Sequence, residues 1–596
     1  MKNDLDKFLN IVRKVFAILE KDDRRKSYLV FLDILLCAIL ETVGVGLIVP
    51  FMTAISAPQI MMQEPVVRDI VKAFDLSSMQ LALTIGFLLC IFYVIKNIFL
   101  MYSSYLQNKF RYGLHKKLSV KMLSAYMKRP YQFFVDTNSS EIVRGVGSDI
   151  GCVKDALGTI FDLATQILTL AMIAVYLGCA DLVMAVCLLL ISAICMYFLV
   201  YVLRRSISDL GKKQRIAEAH ITKYFFEMLE GIKDILAMRK QESFLAIYDK
   251  ECEDKANIES KYITYLSFPN RVIETIFVVG IILIVSLRIM QGVNVATFVP
   301  QLAAFALGGM KMLPAMSVIS KSVTSVVYLK PGVDAAYNNI MIIDKEKRRG
   351  AELANNHLAS DNKFKSLVIN DIHWRFSGAD HDVINGLSLT INRGDSVAII
   401  GASGAGKTTL TDIILGLFVP QKGTIKVNGK EINDDDTDWY HMFTYVQQNI
   451  FLMDDTLRKN IAFGVREEEI DDDKIIRALK QAQLYDFIMG LDDGIHTIVG
   501  ERGVKFSGGQ RQRVAIARAL YFDSDVIIFD EATAALDVET ERSLMESIET
   551  LHGEKTLIIV AHRLSTVENC DRVYEIRDGK AIEKTEDYSH RKRENI

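Results

Sequence analysis

The sequence predicts two architectures in one chain. A membrane α-helical bundle of six spans is followed by an α/β P-loop domain that carries an α-helical subdomain. Three observations predict this. Long apolar runs recur from Tyr28 to Val318. From Phe364 they give way to short apolar strands alternating with helices. Between the strand Ser396–Ile400 and a helix beginning near Leu410 lies the nonapeptide GASGAGKTT, Gly401–Thr409.

Composition agrees with a divided chain. Of 596 residues half are hydrophobic, yet 24% are charged, which fits one half in lipid and one in water. The net charge of −3 argues neither for nor against nucleic acid, and no nucleic-acid partner is expected. Eight cysteines without a CxxC pair predict neither a disulfide framework nor a metal cluster. Several lie in apolar runs, where free Cys acts as a small hydrophobe.

Residues 1–26 show no signal-peptide pattern. Leu5, Phe8, Leu9, Val12, Phe16, Ile18 and Leu19 form a helical apolar stripe. It predicts an amphipathic helix on the cytoplasmic membrane face, with an ordinary surface helix as the alternative.

The transmembrane domain is expected over 27–340. Its spans read Tyr28–Ala54, Leu81–Tyr102, Leu157–Leu177, Leu182–Leu203, Ile273–Met290 and Val295–Val318. Each is long enough, or nearly so, to cross about 30 Å of hydrocarbon. Basic residues set the orientation. Lys109, Arg111, Lys116, Lys117, Lys121, Lys128, Arg129 and Arg144 lie between spans two and three. Arg204, Arg205, Lys212, Lys213, Arg215 and others lie between spans four and five. Both long connections and both termini are therefore cytoplasmic. The helical pattern continues through those connections as stalks, reversing near Pro130–Ser140 and Glu230–Asp234. Short helices at such tips could dock on the following domain. Between Ser56 and Ser78, residues Glu64–Phe74 predict a small external helix or a loop.

Several spans hold ionisable residues, among them Asp33, Glu41, Lys96, Arg271, Glu274 and Lys311, with the fifth span beginning nearer Ser267. Three cations facing lipid would cost about 8–10 kcal/mol together, so they pair, line water or sit near the interface. In a paired arrangement Arg271 meets Glu274, three residues on, and Lys96 and Lys311 meet Glu41 or Asp33. In a cavity arrangement Lys96, Arg271 and Lys311 form a positive patch for an anionic substrate, most simply a phosphate or pyrophosphate headgroup.

A charged linker is expected over 341–363, the second domain over 364–586 and a polar tail over 587–596. In the nonapeptide, Gly401, Ala402, Ser403, Gly404, Ala405 and Gly406 bend the backbone so that its N–H groups face inward. The following helix adds a partial positive charge. Lys407 reaches β- and γ-phosphates, the Thr408 hydroxyl suits Mg²⁺, and Thr409 closes the loop. VIIFDE, Val526–Glu531, is an apolar strand ending in two carboxylates. Asp530 suits the Mg²⁺ shell, and Glu531 the orientation of an attacking water. Gln448 suits metal and water, and His562 the γ-phosphate. Finally, FSGGQRQRVAIARAL places Ser507, Gly508, Gly509 and Gln510 at a second helix N-terminus fit for phosphate. Two such clamps in one chain suggest a two-fold dimer in which each copy completes the other's site.

These segments, with Ala534-Ala535-Leu536-Asp537, occur in the order found in ATP-binding cassette proteins. With six spans ahead of them the chain resembles an exporter-type half-transporter. The resemblance implies an ATP- and Mg²⁺-dependent ATPase coupled to transport and working as a homodimer. Lys407, Thr408, Gln448, Asp530, Glu531 and His562 would form one side of each site, and Ser507, Gly508 and Gly509 would come from the other copy. Phe376 stands where members place an adenine-stacking Tyr, and Glu501 matches an acidic position before the signature. Phe506 and Ala534 depart from the usual Leu and Ser. In the spans, Ile39–Thr42, Phe92–Lys96, Pro269–Arg271 with Glu274, and Lys311–Pro314 resemble the bacterial flippases for lipid-linked oligosaccharides of protein N-glycosylation. This implies a polyprenyl-diphosphate-linked oligosaccharide as substrate, in a bacterial cytoplasmic membrane. The alternative is a multidrug, lipid or peptide exporter of the same architecture.

Overall fold

The computed structural model describes residues 2–56, 58–63, 67–68, 77–180, 182–290, 295–353, 363–432, 439–500, 503–530, 542, 548, 551–561, 567 and 570–584. The chain forms two compact units, residues 1–129 with 137–347, and residues 130–136 with 348–596.

Long helices build the first unit. They are α1 (Lys2–Ile18), α2 (Lys21–Ser56), α3 (Pro58–Gln63) and α4 (Ser78–Tyr126). After α5 (Tyr131–Asp136) come α6 (Ser139–Arg144), α7 (Ile150–Ala180), α8 (Leu182–Glu230), α9 (Ile232–Ala237), α10 (Gln241–Met290) and α11 (Val295–Leu353). About 20 residues cross the hydrocarbon, whereas α4 runs unbroken for 49. It starts on a capping box: Gln80 N–H donates to Ser77 Oγ, and Ser77 N–H donates to Gln80 Oε1 at 2.9 Å.

Among the described residues four helical stretches are long and apolar enough to cross a membrane: Lys21–Ile55, Ser78–Tyr126, Ser139–Gly178 and Met312–Ile343. Leu29, Leu32 and Leu36 of α2 and Phe87, Ile95 and Ile98 of α4 are exposed on this unit. That is unfavourable in water and ordinary against hydrocarbon. The expected spans Leu182–Leu203, Ile273–Met290 and Val295–Val318 fall in α8, α10 and α11, where many side chains lie outside the described set. So does most of the expected external helix Glu64–Phe74.

Two expected segments take shape here. Of the α1 stripe, Ile18 and Leu19 are buried and Leu9 is exposed, and Phe16 stacks on Phe31 with centroids 6.2 Å apart. Lys14 ties α1 to Asp334 of α11 at 2.7 Å. Helix α1 thus packs on protein through Ile11, Val15 and Ile18, followed by Leu19. Second, α11 continues to Leu353, so the first part of the expected linker is helical. Asp344–Arg349 contains good helix formers and no proline; residues 354–362 lie outside the described set.

The stalk regions pack closely. Tyr262 of α10 stacks on Tyr328 of α11 with centroids 3.7 Å apart. Beside them α8 crosses α11 at Gly211, where an added Cβ would overlap the Tyr328 carbonyl oxygen.

The second unit contains two sheets. Strands β1 (Ser366–Trp374), β2 (Ile384–Asn392), β4 (Lys422–Val427) and β5 (Lys430–Glu431) form an antiparallel sheet in the order β2-β1-β4-β5. Strands β3 (Ser396–Ile400), β6 (Phe443–Val446), β7 (Val526–Asp530), β8 (Thr556–Val560), β9 (Arg572–Arg577) and β10 (Lys580–Glu583) form the other, ordered β10-β9-β3-β8-β7-β6. Every residue of β7 and β8 is buried, as expected of parallel strands covered on both faces. One apolar core lies between the sheets, around Phe364, Trp374, Val397 and Leu410. A second joins β7 and β8 to the helical subdomain, around Leu457, Leu479, Phe506 and Val514.

Helix α5, the first expected tip, belongs to this second unit. Its Tyr131 ring lies 5.5 Å from Phe418, which stacks on Trp374 at 4.5 Å. The Ser377 hydroxyl donates to Asp136 Oδ2 at 3.1 Å. The second tip forms the short helix α9.

Gly211→Ala is expected to lower the melting temperature in detergent, because backbone, not a pliable side chain, would have to move. The cost is about 1–3 kcal/mol. Thermal unfolding beside the parent protein measures it.

Candidate functional site

The parallel strands bring the separated motifs together. In the ladder Ile399 faces Val560, Asp530 faces Val560, and Val446 faces Phe529. The carboxyl ends of β3, β8, β7 and β6 therefore share one edge, where open α/β sheets bind ligands. The nonapeptide leaves from β3, Ala561 from β8, Asp530 closes β7, and Gln448 follows β6. Ala561 N–H donates to Ile399 O at 3.1 Å, fixing the end of β8 beside the loop strand.

Two glycines shape the loop. A Cβ on Gly401 would lie 2.5 Å from the Ile576 carbonyl oxygen. Gly406 has φ +99° and caps α12 (Lys407–Ile414), a conformation costly for residues with a Cβ. The Lys407 ammonium, buried with its side chain, donates to Gly401 O at 3.0 Å and Ala402 O at 3.1 Å. It thus spans the loop from behind. Ala402, Ser403, Gly404 and Thr408 are exposed, Ala405 is half-buried and Thr409 is buried. The open face is therefore the one carrying the amides and the Thr408 hydroxyl.

Asp530 is buried at the adjacent strand end. The Tyr445 hydroxyl on β6 donates to its Oδ2 at 2.7 Å. Burial, reinforced by the Asp530 carboxylate, raises the Tyr445 pKa, so the phenol remains a donor. Burial, and then the charge of Asp530, pushes Asp412 of α12 up to about 6. Two neighbouring carboxylates, with the exposed Thr408 and Gln448 following the ends of β3 and β6 in the chain, offer oxygen donors of the kind that suit Mg²⁺. Glu531, Ala534–Asp537 and His562 lie outside the described residues, as does Glu501.

The second phosphate-type feature is the start of α16 (Gly508–Tyr521), preceded in the subdomain by α13 (Leu457–Ile461), α14 (Asp472–Gln481) and α15 (Tyr485–Met489). Ser507 caps it in a reciprocal box with Gln510. Ser507 is exposed and a Cβ on Gly508 would meet nothing within 4 Å, so these two positions are open, whereas Gly509 is buried. Phe506 is buried and edge-on to Phe487 at 6.1 Å, which accounts for an aromatic where Leu is usual. Phe376 meets Trp374 edge-on at 4.4 Å and is 37% exposed, leaving ring surface for stacking.

Sequence reasoning missed Tyr445 and Arg518. Arg518 donates to Asn460 O at 2.8 Å and Phe451 O at 3.2 Å and lies 4.6 Å from the Phe463 ring. Burial pushes it down to about 10. It fastens the segment after Gln448 to α16. No local signal marks either residue, since Tyr445 meets Asp530 through strand order and Arg518 meets its partners through packing of the helical subdomain.

In the first unit Lys96 pairs with Glu41 at 3.6 Å, with 2% of its side chain exposed. Arg271 meets Glu274 at 3.5 Å and stays 86% exposed. Among the described residues no contact joins Lys96 to Arg271, and the Lys311 side chain lies outside that set.

The family model described as ABC transporter matches residues 384–534, and that described as ABC transporter transmembrane region matches 34–308. The chain is 45% identical over 219 residues to an ATP-dependent lipid A-core flippase of Francisella novicida, covering 37% of this chain and 36% of that one. It is 29% identical over 469 residues to the lipid A-core flippase of Vibrio vulnificus strain YJ016, covering 77% and 78%. The structure of a bacterial Atm1-family ABC exporter with ATP bound superposes with a TM-score of 0.75 at 20% identity, over 96% of both chains. It shows a shared fold.

Tyr445→Phe is expected to raise the Mg²⁺ concentration for half-maximal ATPase roughly tenfold, the worth of a hydrogen bond to a charged group. An Mg²⁺ titration reads this. Asp412 has a raised folded pKa, so its stabilising contribution is full below the unfolded value and lost as pH rises through about 6. Asp412→Asn should therefore raise the melting temperature at pH 7.5 in Mg²⁺-free buffer, with the gain vanishing near pH 4.

Proposed function

This chain belongs to the ABC transporters, and we propose that it is the half-transporter of an ATP-driven lipid flippase working as a homodimer. The observation that carries the reading is the shared strand edge, where the phosphate loop, Asp530 and Gln448 meet. Gly401–Thr409 cradles the phosphates of ATP, and Phe376 stacks on adenine. Lys407 turns from the loop carbonyls to the β- and γ-phosphates. Thr408, Asp530 and Gln448 hold Mg²⁺, which when bound neutralises charge between the phosphate oxygens. Glu531 positions and activates the attacking water, and His562 touches the γ-phosphate. Ser507, Gly508, Gly509 and Gln510 aim their helix end at the nucleotide held by the other copy. ATP closes the two cassettes and hydrolysis releases them. Tips such as α5, packed around Phe418, pass that change to the helices in a bacterial cytoplasmic membrane.

The proposed cargo is a lipid with an anionic headgroup, most specifically a polyprenyl-diphosphate-linked oligosaccharide. Basic residues within the spans support it, since a hydrophobic drug needs no such charge. Arg271, exposed despite Glu274, and Lys311 supply the attraction. The flippase names of the relatives support a lipid cargo, and lipid A-core is the second reading.

ATPase activity in liposomes should rise several-fold with polyprenyl-diphosphate oligosaccharide. Arg271→Gln/Lys311→Gln should remove most of that stimulation. Stimulation by lipid A-core alone would change the cargo; stimulation by drugs or peptides alone would reject the flippase reading.

A further inference from the structure

Helices α2 and α4 meet along a polar seam within an otherwise apolar contact. Asp33, Cys37 and Glu41 recur every four residues on α2, so they share one face. Ser103 of α4 donates to Asp33 and accepts from Cys37 Sγ at 3.1 Å and from Gln107 Nε2 at 3.2 Å. One hydroxyl donor and two acceptor positions are thereby all used. Further along, Glu41 meets Lys96 at 3.6 Å. Next, the Tyr93 hydroxyl donates to the Gly44 carbonyl at 3.1 Å. From Asp33 to Gly44 the seam advances along α2 while its partners run back from Ser103 to Tyr93 along α4, as antiparallel neighbours require.

Lys96 is enclosed at the centre of this seam. Its ammonium lies 4.5 Å from the centroid of the Tyr93 ring. Its stem runs past Gly44, where even a Cβ would come within 3.5 Å of the Lys96 Cδ. With 2% of its side chain exposed, it offers no surface to a headgroup. Arg271 is the opposite case, largely open with its carboxylate partner one helical turn away.

We propose that Lys96 is a positioning residue whose charge is spent on Glu41, fastening α2 to α4 as one moving piece, and that it does not bind the transported lipid. This deepens the flippase reading and rests on it only for the transport readout; the stability readout stands whatever the cargo. A cation and a carboxylate in apolar surroundings tolerate each other, but either one alone does not.

The test is a charge cycle on the full-length protein in detergent and in liposomes loaded with polyprenyl-diphosphate oligosaccharide. Lys96→Gln and Glu41→Gln should each lower the melting temperature by several degrees and reduce flipping several-fold. The exchange Glu41→Lys/Lys96→Glu should restore both. Should a single variant fail to fold, the neutral pair Glu41→Gln/Lys96→Met decides, and it is expected to keep near-parental melting and flipping. A neutral or exchanged pair that melts normally but no longer flips would show Lys96 to be a headgroup ligand and overturn the proposal. Unchanged melting in both single variants would overturn it as well. If no variant, nor the parent, flips this lipid, while the melting pattern holds, the cargo reading fails and the seam remains.

Discussion

Parallel pairing among β3, β8, β7 and β6 sets the position of everything chemical in the second unit. Each strand is short, apolar and buried, and each ends where its neighbour ends. A one-residue slip of β7 against β8 would turn Asp530 to the opposite face. It would also break the Tyr445 hydrogen bond. The register is held by apolar faces on both sides, so the hydrophobic cores around Trp374 and Phe506 are what place a carboxylate beside a phosphate loop.

The same constraint, charge without water, recurs in both units and is met differently. In the second unit Asp412 lies near Asp530, and burial together with that charge pushes its pKa up to about 6. Arg518 relies on carbonyls and an aromatic face. In the first unit several intraspan charges have partners: Asp33 with Ser103, Lys96 with Glu41, Arg271 with Glu274. Buried Asp530 takes a phenol as donor, and buried Lys96 takes a carboxylate and an aromatic face.

The aromatic packing of Phe376, Trp374, Phe418 and Tyr131 gives the second unit a direct link between its stacking position and α5. Residues 131–136 fall among the spans in the chain yet belong to the nucleotide unit in space.

The sequence by itself determined the local chemistry. Glycine spacing, a lysine at a helix start, carboxylates ending an apolar strand and long apolar runs are properties of neighbouring residues, and they announced the phosphate loop, the capped α16 and the helical first half. Tertiary structure alone decided which distant groups meet. Tyr445 reaches Asp530 only because β6 lies beside β7. Lys96 chose Glu41 over open space only because α4 runs antiparallel to α2. Ile11 and Val15 of α1 are buried because a bundle face lay within reach. Periodicity names which face of a helix is apolar; it carries no term for what will cover that face, since this is settled by the packing of elements far apart in the chain.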